Sequence, residues 1–252
     1  MSEEPSITII ENGPYVVKGD VPLSEDALVR APEGDHLQYN HVKDYNMDGT
    51  TYHLCRCGGS SHKPFCDGTH AKIGFDGSET ASREPYDERV RVFEGDGLDL
   101  YDDNRCAFAR LCHRRAGDAW AMTRGAESDE QEIVASSWHC PAGRLEHRDT
   151  DTGEVYEQSF DPSIVILEDP EKHVSGPLFV RGGIPLIGAD GHEYEKRNRY
   201  ALCRCGASSN KPFCDAEHAR IGFNDGSKAL EGEWGERDES FDKLPDVHRS
   251  EA

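Results

Sequence analysis

Short runs of β-branched and aromatic residues, set between Gly and Pro, punctuate the chain and predict strands rather than long helices. Ile7-Thr8-Ile9-Ile10 and Tyr15-Val16-Val17 are two such runs. The pattern then returns. Gly13-Pro14-Tyr15-Val16-Val17-Lys18-Gly19-Asp20-Val21-Pro22-Leu23 aligns with Gly176-Pro177-Leu178-Phe179-Val180-Arg181-Gly182-Gly183-Ile184-Pro185-Leu186. Tyr52 to Gly58 aligns with Tyr200 to Gly206, and Ile73-Gly74-Phe75 with Ile221-Gly222-Phe223. Two copies are too few for a solenoid, so one module has been duplicated. The first copy has a longer connection before its cysteine segment. That segment is rich in Gly, Ser, Lys and Pro and predicts a loop, with Asp67 and Asp215 placed to cap a short helix. The expected organisation is a first half over 1–80, a dissimilar insert over 95–152, a second half over 165–228 and an acidic tail over 229–252. The chain after Asp225 is charged and aperiodic and is expected to be loosely ordered.

Composition narrows the classes of function. The chain has 49 acidic and 28 basic side chains, a formal charge of −21. Such a surface repels nucleic acid and anionic membranes, so neither is an expected partner. Only 35% of residues are hydrophobic, which favours small modules over an extended core. No stretch approaches the roughly 20 apolar residues of a membrane-spanning helix. The first residues carry no signal-peptide pattern. The nine cysteines are odd in number and clustered, which reads as metal ligation rather than a disulfide framework. These features together suggest the cytoplasm.

The cysteines and two histidines make the strongest pattern. Cys55-x-Cys57, eight residues, Cys66, three residues and His70 recur with identical spacing as Cys203-x-Cys205, Cys214 and His218. Cys66 and His70 are four apart, on one face of a starting helix, as are Cys214 and His218. Each C-x-C can converge on one iron and each Cys/His pair on another, the two-plus-two division that a rhombic [2Fe–2S] cluster needs. Gly58, Gly59, Ser60 and Ser61 let the backbone come close, and their N–H and hydroxyl groups are candidates to bond the sulfurs. Three cysteines and a histidine also suit tetrahedral zinc, though zinc hairpins more often use C-x2-C. His36, His41, His53, His173, His192 and His248 read as surface or satisfied residues. His62 lies inside the motif but aligns with Asn210, against a shared ligand role.

Cys55, Cys57, Ser60, Pro64, Cys66, Asp67, Gly68 and His70 meet the pattern C-x-C-x2-(S/T)-x3-P-x-C-D-G-x-H, which resembles the CDGSH iron–sulfur domain of the NEET proteins. The second copy agrees at Cys203, Cys205, Ser208, Pro212, Cys214, Asp215 and His218, with Ala216 in place of Gly. The resemblance implies two [2Fe–2S] clusters and an α+β, β-rich fold in which tandem halves form an intramolecular pseudo-dimer.

The insert holds three further cysteines, Cys106, Cys112 and Cys140, the last followed by Pro141. C-x5-C with a later C-P resembles single-cluster bacterial ferredoxins that lack the middle cysteine of C-x2-C-x2-C, which implies an additional [3Fe–4S] or [4Fe–4S] cluster in a small ferredoxin-like segment. His113 and His139 adjoin these cysteines. The alternative is a relic whose cysteines only pack. No nucleophile–base constellation or nucleotide loop is present, so no enzyme activity is expected. The expected function is electron transfer, or storage and delivery of clusters, by a monomer that meets a redox partner protein or an apo-acceptor. A cluster-based redox sensor and a zinc-stabilised interaction module are the alternatives.

Overall fold

The computed structural model describes residues 3–31, 37–47, 49–125 and 129–232. His36, His248 and the acidic stretch 233–252 lie outside the described residues. The fold is β-rich with few, short helices. The first half contains β1 (Ser6–Ile9), β2 (Tyr15–Lys18), β3 (Leu23–Arg30), β4 (Leu37–Tyr45), β5 (Thr51–Leu54) and α1 (Thr69–Lys72). A one-turn helix α2 (Tyr86–Arg89) leads to the insert: β6 (Arg91–Phe93), β7 (Leu98–Asp102), β8 (His113–Arg114), β9 (Gly117–Asp118), α3 (Ala119–Arg124), α4 (Glu130–Trp138) and β10 (Leu145–Asp149). The second half follows with β11 (Ser163–Asp169), β12 (Val174–Arg181), β13 (Leu186–Ile187), β14 (Arg199–Leu202), α5 (Glu217–Arg220) and a 3-10 turn over Lys228–Glu231.

The two halves exchange strands. One sheet runs β13-β1-β2-β5 and the other β14-β12-β11-β3-β4. The third strand of each half thus pairs, in parallel, with the first strand of the other: Ile7 faces Leu186, and Ile164 faces Leu23. Alternation in β1, β2 and β5 turns Ile7, Ile9, Tyr15, Val17, Tyr52 and Leu54 inward, where they meet Ile164, Ile166, Leu178, Val180, Leu186 and Leu202. Composition alone favours separate small modules. Strand exchange instead pools the apolar faces of both halves into one core, each fully buried Val, Ile or Leu contributing about 1.5–3 kcal/mol. The longer connection of the first copy is the β3–β4 hairpin, which extends the second sheet.

The insert forms the antiparallel sheet β10-β7-β6 with α3 and α4 beside it. It packs on the outer face of the second sheet. Ala109 and Leu111 rest on Leu28 and Leu37, while Ala107 and Ala142 rest on Ala201 and Cys214. β12 is buried at nearly every position instead of alternating, because Tyr39 and Phe160 pack on Phe179 and α5 lies against the strand. Arg199 of β14 reaches into the insert and donates to the carbonyls of Ser137, Cys140 and Leu145. The segment after Asp225, expected to be loose, is docked over its first residues. Ala229 and Leu230 are buried, and Ser227 hydrogen-bonds Glu25. No described helix is long and apolar enough to cross a membrane.

Candidate metal centres

Each C-x-C follows directly from a strand, β5 or β14, so the ladder aims the cysteines. The loop is then folded back on that strand. Cys55 N–H donates to Pro64 O at 2.8 Å and Cys66 N–H to His53 O at 2.9 Å. The second copy repeats this with Cys203 to Pro212 at 2.8 Å and Cys214 to Ala201 at 2.9 Å. Ser60 and Ser208 donate to Phe65 O and Phe213 O, each at 2.7 Å. The serine hydroxyls, expected at the sulfurs, brace the loops instead. The contacts to sulfur come from backbone: Gly59 N–H to Cys57 Sγ at 3.4 Å and Gly68 N–H to Cys66 Sγ at 3.5 Å.

The two aspartates are not the helix caps. That position belongs to Gly68 and Ala216, both left-handed, with φ of 82° and 71°. Asp67 stands one residue earlier and accepts from Thr69 N–H at 3.0 Å, Ser61 N–H at 2.9 Å and Ser61 Oγ at 2.8 Å. Those hydrogen bonds hold its carboxyl well below the usual carboxylate range. Asp215 ties Ser209 in the same way. The aspartates therefore clamp the C-x-C loop to the helix start. Because α1 and α5 are single turns, the helix dipole adds little.

The ligand atoms come together in pairs. Cys55 Sγ and Cys57 Sγ are 3.7 Å apart, Cys203 Sγ and Cys205 Sγ 3.6 Å. Cys66 Sγ lies 3.3 Å from His70 Nδ1, and Cys214 Sγ 3.4 Å from His218 Nδ1. Two thiolates bound at about 2.3 Å to one tetrahedral metal stand about 3.8 Å apart, and a thiolate and an imidazole about 3.6 Å. Each pair thus has the spacing of two ligands on one metal, with Nδ1 as the histidine donor. Among the described residues no three His, Cys, Asp or Glu side chains converge on a single ion. Pairs of this kind are the ligand arrangement that a binuclear group would use. In the second site the hydrogen bond from Cys205 pulls the Cys203 thiol down, to about 6, and Cys203 pushes the Cys205 thiol up, so the pair parts readily with its first proton and resists losing the second.

The sites meet back to back. Cys57 and Cys205 form an antiparallel bridge. Gly58 and Gly206 have φ of 72° and 81°, and a Cβ on either would lie 2.5 or 2.6 Å from the carbonyl oxygen of Cys205 or Cys57. Only glycine permits that approach. The environments nonetheless differ. Cys55 and Cys203 are alike, 4% and 3% exposed, but Cys214 and His218 are each 4% exposed whereas Cys66 and His70 are half-buried; Ala107 and Ala142 of the insert pack on Cys214. Burial, followed by Arg204, lowers the His218 pKa to about 4.

In the insert, Cys106, Cys112 and Cys140 are neighbours although none is close in sequence to all the others. Burial pushes the Cys112 thiol up to about 12, with Cys140 and Cys106 adding to it. Phe108 N–H points at Cys106 Sγ at 3.3 Å, and the N–H groups of Arg144 and Ala142 at Cys140. Cys106 also acts on Cys214, which places this trio beside the second site. His113 is exposed on β8, and His139 is buried, its carbonyl accepting from Tyr39 at 2.8 Å. His41, His53, His173 and His192 are exposed, as their sequence context suggests. Sequence reasoning missed Arg56 and Arg204, buried between the cysteines of each C-x-C, and Tyr15, whose hydroxyl crosses from the first half to the second site. The recurrence of Arg at the middle position was the available signal.

The family described as iron-binding zinc finger, CDGSH type, matches residues 12–71 and 175–219. No curated protein and no solved structure matches the chain.

Proposed function

We propose that this chain, whose residues 12–71 and 175–219 match the iron-binding CDGSH family, holds one [2Fe–2S] cluster in each matched segment and moves single electrons or whole clusters. Cys55 and Cys57 would hold one iron of the first cluster, and Cys66 and His70 Nδ1 the other. Cys203, Cys205, Cys214 and His218 do the same in the second. The observation that carries this reading is the pairing of ligand atoms at 3.3–3.7 Å in both repeats. A [2Fe–2S] cluster supplies a one-electron couple, tuned by net charge, hydrogen bonds to sulfur and solvent access. The chain's own residues hold the thiolates in register and clamp the loops through Asp67 and Asp215, and burial keeps the His218 imidazole neutral for binding.

Strand exchange and the Cys57–Cys205 bridge support an intramolecular pseudo-dimer, so a monomer suffices to complete both sites. The gathered thiols of Cys106, Cys112 and Cys140, each of the outer two receiving backbone N–H groups, support an additional [3Fe–4S] or [4Fe–4S] cluster in a ferredoxin-like insert. Its place beside Cys214 suits a relay, with a redox protein or an apo-acceptor of clusters as partner. The test is paramagnetic resonance of anaerobically purified, dithionite-reduced protein. Cys140→Ser should remove a signal distinct from the Cys3His clusters and leave those intact. No effect of Cys140→Ser on any signal makes the insert a packed cover alone.

A further inference from the structure

Both sites place an arginine between the cysteines of C-x-C, and the two arginines are compensated differently. Arg56 is 2% exposed and donates to the backbone carbonyls of Ile10, Gly13 and Gly77, with the rings of Tyr15 and Phe75 alongside and no carboxylate paired with it among the described residues. Arg204 is 3% exposed and donates to the equivalent carbonyls of Leu167 and Gly176, but it also pairs with Glu168 and Asp225. The difference is written in the repeat. The position that gives a carboxylate at Asp225 gives only a carbonyl at Gly77. Glu11, which follows Ile10 as Glu168 follows Leu167, is exposed.

A guanidinium held by neutral carbonyls leaves its positive charge acting on the adjacent site, whereas one held by carboxylates is largely cancelled. Burial acts in the same direction. An added electron increases negative charge, which the enclosed second site opposes more than the half-open first. Two independent features, arginine compensation and enclosure, therefore favour placing an electron at the first site.

We propose that the two CDGSH sites are ordered in potential, the second as electron donor and the first as acceptor, with Arg56 and the Arg204–Asp225 pair as the residues that set the order. This rests on both sites holding [2Fe–2S] clusters. The step is a single electron transfer: the second site is oxidised and the first reduced, with no bond made or broken. A one-electron reductant refills the second site. A one-electron acceptor protein empties the first, which faces solvent through His70.

The test is a redox titration of the full chain, with dithionite as reductant, followed by paramagnetic resonance. The expected result is two one-electron waves at least about 59 mV apart, a tenfold preference for the first site. His70→Cys should lower only the upper wave and His218→Cys only the lower, which assigns them. Asp225→Asn should raise the lower wave and leave the upper unmoved. Arg56→Gln should lower the upper wave, and Arg56→Lys should restore it. Coincident waves, a reversed assignment, or a lower wave unmoved by both Asp225→Asn and Glu168→Gln at full iron content overturns the proposal. A wild-type protein without reducible iron sinks the parent reading instead.

Discussion

Replacing Tyr15 with Phe isolates how the first half supports the second site. The Tyr15 hydroxyl is fully buried and donates to Cys203 O at 2.9 Å and Pro212 O at 3.1 Å. Pro212 O keeps its bond from Cys203 N–H at 2.8 Å, so the deletion strands one acceptor, Cys203 O. A buried carbonyl left without its donor costs about 1–3 kcal/mol. Because about 1.4 kcal/mol is tenfold in an equilibrium, local opening of the second ligand loop should rise roughly ten- to hundredfold. The first site should not respond, since Leu178 occupies the aligned position and offers no reciprocal hydroxyl. The assay is bleaching by an iron chelator at neutral pH, with His70→Cys as background so that the two sites absorb differently. Tyr15→Phe should speed loss from the second site by about tenfold or more. Equal acceleration at both sites, or none at either, would refute the reasoning.

The left-handed cap positions give a matched pair: Ala216→Gly should stabilise the chain by about 1 kcal/mol and Gly68→Ala destabilise it by a similar amount, read by denaturant midpoints. Nothing lies within 4 Å of a Cβ at Gly68, so backbone conformation alone is responsible. His147 is fully buried between Thr123 and Ser137, and burial lowers its pKa to about 4. Its stabilisation is present above about pH 6.5 and is lost as pH falls toward 4, on the order of 3 kcal/mol; tryptophan fluorescence melts should show that loss, and His147→Gln should lack it. Burial pushes Glu168 up to about 8 against the opposing pull of Arg204 and with Asp225 alongside. The lower-potential wave should therefore fall as pH rises through about 8, and Glu168→Gln should flatten it. On acidification the cluster colour should be lost, and His70→Cys and His218→Cys should each slow the loss at its own site.

The ligand sets were legible because the Cys3His pattern is local: eight intervening residues and then three fix which atoms can pair, and the repeat supplied a second copy as control. The strands β1 and β2 were legible from their β-branched and aromatic runs between Gly and Pro. Strand exchange was not, since pairing of Ile7 with Leu186 and Ile164 with Leu23 joins residues far apart in sequence. β12 lost its alternation because Tyr39, Phe160 and α5 cover its outer face, a tertiary effect that no local pattern encodes. The aspartates looked like caps from their spacing, but the left-handed residues after them take that place and turn the carboxylates onto the serines. Arg56 and Arg204 carry no signal in the sequence beyond their recurrence between the cysteines. Only the fold shows them buried, one among carbonyls and one among carboxylates.

The central claim is that both Cys3His sets hold iron with inorganic sulfide. Quantifying iron, zinc and acid-labile sulfide in anaerobically purified protein, beside its visible spectrum, tests this most directly. The account predicts at least four irons and four sulfides per chain, two of each per rhombic cluster, with colour that bleaches on reduction by dithionite. Colourless protein containing about two zinc ions per chain and no sulfide would contradict it.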